Sequence, residues 1–242
     1  MSGKSVGIGI FNTSNFATTK LCIDNLLQST KYPIKLYVYD CDEEFNLDRL
    51  EYFKNLPNDP YYFAPDSSKN LNQLKSDFIQ FCNEDFICIL PITCLVGNGW
   101  VEDLIYNYNQ FENVGIISIK SNETKCQITA LPSVHTNSDS EAIFKNVWVS
   151  ENSYISGLMF FEQKLSNMFF RLSFGKLHNT SLYDDKDLSI MSNLLGLNNF
   201  YIFKQNVIYL NTETEVSACD SDELSYLEIE FKKYVNNIFR NK

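Results

Sequence analysis

The sequence predicts an α/β protein of three layers, a mainly parallel mixed sheet flanked by helices. Three observations predict it. From residue 6 to about residue 120, apolar runs of strand length alternate with stretches whose apolar residues recur at helical spacing. The second run ends in Asp40-Cys41-Asp42, and in open α/β sheets polar residues at the carboxyl ends of strands are where ligands bind. The composition, 44% hydrophobic and 21% charged over 242 residues, is that of a packed globular chain and not of a disordered one.

Taken in order, Val6 to Phe11 reads as a buried strand, followed by a polar turn through Asn12, Ser14 and Asn15. A helix with Leu21, Leu26 and Leu27 facing inward comes next, then a strand from Ile34 to Tyr39. Leu47, Leu50 and Phe53 mark a second helix, and Leu71, Leu74, Phe78 and Phe81 a third. Phe86 to Leu90 is a strand, Val101, Leu104, Ile105 and Tyr108 a helix, and Val114 to Ile119 a strand. Four strands with intervening helices fit right-handed crossovers in a doubly wound sheet. After residue 120 the alternation loosens. Gln127 to Val134 and Ile143 to Val149 read as irregular strands, Tyr154 to Phe161 as a further strand, Asp184 to Leu195 as a helix, and Phe200 to Tyr209 as a strand pair. Leu224, Leu227, Phe231, Val235 and Ile238 form the stripe of a closing helix. The expected organisation is one domain over 1–242, with a nucleotide-binding half (1–120), an acceptor half (121–215) and a C-terminal helix (220–240).

Charge and cysteine usage narrow the function classes. A formal charge of -10 and a pI near 4.7 repel phosphate polymers and anionic membranes, so a nucleic-acid partner is not expected. The arginines are Arg49, Arg171 and Arg240, and no basic run interleaves with aromatics. Seven scattered cysteines without a C-x-x-C pair, beside two histidines, argue against a zinc site or disulfide framework and read as small core hydrophobes. No apolar run approaches the roughly 20 residues of a membrane span. The first residues lack the apolar core of a secretory signal, so the expected location is the cytoplasm.

Two glycine motifs carry little. Ser2-Gly3-Lys4-Ser5 precedes the first strand, where a phosphate-binding loop must follow one, and Gly7-x-Gly9-x-x-Asn12 puts both glycines inside the strand. Asp40 is more informative: its carboxylate suits a ribose hydroxyl or a base N–H, while Asp40 or Asp42 also reads as a turn residue capping the next helix.

At this point the order of segments resembles a known family. Ile8-Gly-Ile-Phe-Asn-Thr13, the helix Leu21-Cys-Ile-Asp-Asn-Leu-Leu-Gln28 and Leu36-Tyr-Val-Tyr-Asp40 are similar to the opening of family-2 glycosyltransferases of the A-type (GT-A) fold, the nucleotide-diphospho-sugar transferase architecture. Asp85-Phe-Ile-Cys-Ile-Leu90, Gly99-Trp-Val-Glu-Asp-Leu104, Asn113-Val-Gly-Ile-Ile117, Ile155-Ser-Gly-Leu-Met159 and Tyr183-Asp-Asp-Lys-Asp-Leu188 with Gly196 resemble later segments of that family in the same order. The resemblance spans roughly residues 5 to 210.

It implies a transferase that moves a sugar from a nucleotide-sugar donor, such as a UDP-sugar, to an acceptor hydroxyl with inversion. Phe11, Asn12 and Asp40 would line the nucleoside pocket. Asp185 would be the base that takes the acceptor's proton, with Asp184 in place of that motif's Glu. Acidic residues at 184 and 187 read equally as the caps of a helix start. Thr93 and Gly157 fall on the donor-loop and acceptor-strand positions. The largest departure is at the metal-binding Asp-x-Asp, where the chain reads Pro91-Ile92-Thr93. The manganese or magnesium ion of the family lacks its carboxylates, so no cofactor is called for. The family's downstream histidine is also replaced, with Leu210-Asn211 near its place. Lys75, Arg171, Lys176, His178 and Lys186 are then the candidates to meet the leaving diphosphate. Trp100 and Trp148 suit either stacking on a sugar or the core, and His178 either a phosphate contact or plain surface. The acceptor stays open between a glycan, a lipid, a protein and a modified nucleobase. The alternative is a non-catalytic relative that keeps the fold for binding. A nucleotidyltransferase is disfavoured by the absence of a glycine-rich basic loop between Phe11 and Thr19.

Overall fold

The computed structural model describes residues 3–12, 16–41, 46–57, 59–64, 69–120, 147–150, 157–166, 188–189, 191–193, 195–203 and 207–210. The chain divides into a compact unit, Met1–Leu210, and a second unit, Asn211–Lys242; every described residue belongs to the first. The expected strand Gln127 to Val134 and the closing helix 220–240 lie outside the described residues.

The elements run β1 (Val6–Asn12), α1 (Phe16–Ser29), β2 (Ile34–Asp40), α2 (Leu47–Lys54), β3 (Tyr61–Phe63), α3 (Leu71–Phe81), β4 (Phe86–Ile89), β5 (Cys94–Val96), α4 (Trp100–Tyr108), β6 (Val114–Lys120), β7 (Val147–Ser150), β8 (Met159–Glu162), β9 (Asn198–Phe203) and β10 (Val207–Tyr209). Eight strands form one sheet in the order β3-β2-β1-β4-β8-β6-β9-β7. β1, β2, β3 and β4 are mutually parallel, as are β6 and β9, while β8 and β7 enter antiparallel. This is the mainly parallel mixed sheet expected. β3 and β5, of three residues each, carry no periodicity of their own and escaped the sequence reading. β9 and β10 do not pair with each other: β9 lies between β6 and β7, and β10 joins β5 in a separate two-stranded ribbon.

Alternation along β1 decides what covers each face. Val6, Ile8 and Ile10 share a core with Cys22, Ile23 and Leu26 of α1, Phe53 of α2 and Trp100, Val101 and Leu104 of α4. The opposite face carries Gly7 and Gly9, and α3 packs there. A Cβ on Gly9 would lie 2.5 Å from the Phe78 ring, and one on Gly7 would lie 2.2 Å from Cys82 Sγ. The G-x-G motif is therefore a helix-packing device, its two missing side chains making room for α3. Beside it an aromatic ladder crosses three strands in register: Phe11 stacks on Tyr39 at 5.2 Å, and Tyr39 on Phe63 at 4.3 Å.

Several helical stripes are rotated from the expected ones. In α1 the buried set is Thr19, Cys22, Ile23 and Leu26, an i, i+3, i+4, i+7 series, which leaves Leu21 49% exposed. In α2, Leu47 faces solvent and Arg49 with Phe53 is buried. Phe81, at the end of α3, is exposed, although its ring meets Tyr61 and Phe63 edge-on. The helix starts follow capping chemistry: Asn46 Oδ1 accepts from Arg49 N at 3.0 Å, and Asn70 with Gln73 closes a capping box on α3. The cysteines 22, 41, 82, 88 and 94 are free thiols, and all but Cys41 are buried, in keeping with their reading as core residues. Among the described residues no helix is long and apolar enough to cross a membrane.

Candidate functional site

The chain leaves β1 toward β2 and β3 on one side, while β4 lies on the other side of β1. Strand order therefore reverses between β1 and β4, and in open α/β sheets the crevice beyond the carboxyl ends at that point is where ligands bind. The residues reaching this edge are Asn12 from β1, Asp40 from β2, Leu90 to Thr93 after β4, and Gly157 with Leu158 before β8. The antiparallel register Ile89↔Met159 sets the last two groups side by side.

Asn12 and Asp40 are direct register partners, and both are buried. Asn12 Nδ2 donates to Asp40 Oδ1 at 2.8 Å, and Thr19 Oγ1 of α1 donates to Asn12 Oδ1 at 2.7 Å. Arg49 Nε of α2 donates to Asp40 Oδ2 at 2.9 Å, and Tyr62 OH of β3 donates to the same oxygen at 3.1 Å. A buried charge requires this kind of satisfaction, since taking a carboxylate out of water unpaired costs several kcal/mol. Burial first, and then the charge of Asp40 and its bond to the hydroxyl, push the Tyr62 phenol up to about 12. Asp40 thus caps no helix; Asn46 does that.

Cys41, next after Asp40, is held up to about 11 by burial and by the neighbouring carboxylate, with Lys75 pulling in the other direction. Lys75 itself is half-buried in α3. On the other flank, Cys94 N donates to Pro91 O in the turn that carries Thr93, and Leu210 N donates to Thr93 O at 2.8 Å. Tyr209 OH donates to Ile119 O at 3.1 Å and accepts from Leu158 N at 3.2 Å. Gly157, with φ 92°, leaves the space that this hydroxyl occupies: a Cβ there would lie 2.9 Å from it.

The sheet therefore gathers Asn12, Asp40, Thr93 and Gly157 along one edge, while Lys75 lies on α3. Phe11 belongs instead to the aromatic ladder, 6% exposed against Tyr39 and Phe78. Trp100 is corrected outright: it is 1% exposed and its Nε1 donates to Thr30 Oγ1, so no ring face is open to a sugar. Asp184, Asp185, Arg171, His178, Lys176 and Lys186 lie outside the described residues, as does the side chain of Trp148. The sequence reading missed Arg49, Tyr62 and Thr19. The available signal was a scarce arginine placed nine residues after Asp40, one turn into a helix.

A divalent cation does not fit the described residues. Pro91 and Ile92 offer no side-chain oxygen, and no cluster of three His, Cys, Asp or Glu residues suited to a metal exists among the described residues. A separate open groove of about 490 Å³ on α1 and α2 is lined by Asp24, Asp48 and Glu51, like charges that repel a phosphate.

Fold and edge together define an α/β protein whose strand order reverses between β1 and β4. No family model and no curated protein matches the chain. Among solved structures it is similar to the mannosyltransferase PcManGT from Pyrobaculum calidifontis, solved in complex with GDP-Man and Mn2+, with a TM-score of 0.61 and 12% identity over 87% of this chain. The match covers 58% of that protein's length, and at this identity the likeness is one of fold.

Proposed function

We propose that the chain is a nucleotide-sugar-dependent glycosyltransferase of A-type fold that passes a sugar to an acceptor hydroxyl with inversion and without a bound metal ion. The observation that carries the reading is the polar carboxyl edge at the β1/β4 switch point, in a fold shared over 87% of the chain with a mannosyltransferase. In this reading the nucleotide lies across the ends of β1, β2 and β4, over a floor that the Asn12–Asp40 network keeps rigid. Lys75 supplies positive charge on the donor side, aided by Arg171 or His178. Asp185 removes the acceptor's proton as its oxygen attacks the anomeric carbon, and the sugar–phosphate bond breaks to release a nucleoside diphosphate. The alternative is a catalytically inactive relative that keeps the fold as a binding or interaction module; the replacement of Asp-x-Asp by Pro91-Ile92-Thr93 is the sequence feature on its side.

Thermal-shift titration with UDP, GDP and their sugar conjugates, with manganese and with EDTA, tests the proposal. Stabilisation by at least one nucleotide, retained in EDTA, is the expected result. Donor hydrolysis that disappears in Asp185→Asn but survives in Asp187→Asn identifies the base. Binding without turnover rejects the transferase in favour of a non-catalytic relative, and no response to any nucleotide leaves only the interaction module.

A further inference from the structure

Resting on the nucleotide-binding reading, we infer that Asp40 is a positioning residue held inside the protein, and that it does not itself touch the base or ribose. Its side chain is 2% exposed and that of Arg49 5%, so both are almost wholly withdrawn from a ligand lying over the strand ends. Donors from three other elements already converge on its two oxygens: Asn12 Nδ2 on Oδ1, and Arg49 Nε and Tyr62 OH on Oδ2. A carboxylate whose charge is neutralised by a guanidinium at 2.9 Å is a weaker acceptor for a ligand's ring N–H than a bare one. Reaching a base would also require breaking buried bonds, each of which leaves a polar atom unmatched.

What the carboxylate does instead is join separate elements at their ends. Asn12 ends β1, Asp40 ends β2, Tyr62 sits in β3 and Arg49 lies one turn into α2, while Thr19 ties α1 to Asn12. The network fixes where three strands present their last backbone groups and where α1 begins. Those groups are the same for every nucleotide. Base selectivity then has to come from elsewhere, and loss of Asp40 must weaken all nucleotides alike.

Dissociation constants for UDP, GDP, ADP and CDP, measured well below the melting temperature of each variant, separate a brace from a reader. Asp40→Asn and Arg49→Met are each expected to weaken every nucleotide that binds the parent, by similar factors, with the ratios between nucleotides changing less than threefold. The double variant, which removes both charges together, is expected to recover both melting temperature and affinity relative to either single change. Tyr62→Phe, which keeps the ring, provides a milder perturbation with the same signature. The inference is overturned if Asp40→Asn lowers affinity for one nucleotide tenfold more than for the others, or if the double variant loses the summed stability of the two singles. A parent protein that binds none of the four nucleotides rejects the transferase reading instead; the recovery or summation of stability in the double variant then still decides whether the pair is a brace.

Discussion

Arg49 Nε lies 2.9 Å from Asp40 Oδ2, with both side chains almost wholly withdrawn from water, although nine residues and an element boundary separate them in the chain. Such a pair is weak evidence for net stability when compared with an apolar replacement, but removing one partner strands the other charge in a dry site. Arg49→Met is expected to cost roughly 3–5 kcal/mol, a fall in Tm on the order of 10 °C for a chain of this size. Urea unfolding followed by far-UV circular dichroism measures it. A loss below about 1 kcal/mol, the scale of an exposed pair, would mean that water reaches Asp40.

The glycines of the first strand make a contrasting prediction. Replacing Gly by Ala inside a strand ordinarily gains about 0.5–1 kcal/mol because the unfolded chain loses freedom. At Gly9 the new methyl would sit 2.5 Å from the Phe78 ring, and overpacking of this kind costs about 1–3 kcal/mol, so the clash wins and Gly9→Ala destabilises. Trimming the ring in Gly9→Ala/Phe78→Leu recovers part of that loss. Gly99→Ala is also destabilising, for a different reason. No atom lies within 4 Å of its added Cβ, but its φ of 77° strains any L side chain, so trimming neighbours does not rescue it. Melting temperatures of the three variants check the pattern.

How much of this was legible in the sequence depended on which signal each residue carried. Runs such as Val6 to Phe11 and Phe86 to Leu90 announce strands because strands buried on both faces read as unbroken apolar runs, and these are too short for buried helices. The carboxyl-edge position of Asn12 and Asp40 followed from those strands. The stripe of α1 is harder to read, because its inward face passes through Thr19 and Cys22, which carry little apolar signal, and Leu21 falls about 100° away from Cys22 on the helix. The buried partner of Asp40 was hidden for the same reason. An arginine between Leu47 and Leu50 reads as solvated until a carboxylate is found facing it. β3 was invisible because three residues, Tyr61 to Phe63, give no period; only pairing with β2 makes them a strand.

Tyr209 ties the far flank of the edge together, and its hydroxyl carries the next prediction. It accepts from Leu158 N and donates to Ile119 O, so Tyr209→Phe leaves a buried N–H and a buried carbonyl each short of a partner. The expected cost is about 1–3 kcal/mol, with little change in packing because the ring remains. Amide exchange at Leu158 is the specific readout: it quickens in Tyr209→Phe more than exchange at Ile8 in β1. Equal protection of Leu158 in both proteins would show that the hydroxyl bond does not hold the start of β8.

Alkaline pH supplies the last prediction, and its sign follows from burial. Desolvation raises the Cys22 thiol to about 12, and burial with the neighbouring Asp40 charge raises Cys41 to about 11 and Tyr62 to about 12. Tyr37, Tyr39 and Tyr52 move in the same direction, burial being the largest cause in each. In the unfolded chain these groups lose their protons near pH 8.5 for cysteine and near 10 for tyrosine. Between those values and the raised ones the unfolded state holds fewer protons than the native state, so stability is complete below about pH 8.5 and falls as pH rises. One fully buried group contributes a slope of up to about 1.4 kcal/mol per pH unit, less for the partly exposed Cys41 and Tyr62. Denaturant midpoints measured from pH 7 to 11 should therefore decline steadily above pH 8.5. Cys22→Ala should decline less steeply between pH 9 and 11, because one proton has been removed from the difference. A parent midpoint that stays flat to pH 11 would mean that these thiols and phenols ionise in the folded protein as they do in water, and that the core around Cys22 is open to solvent.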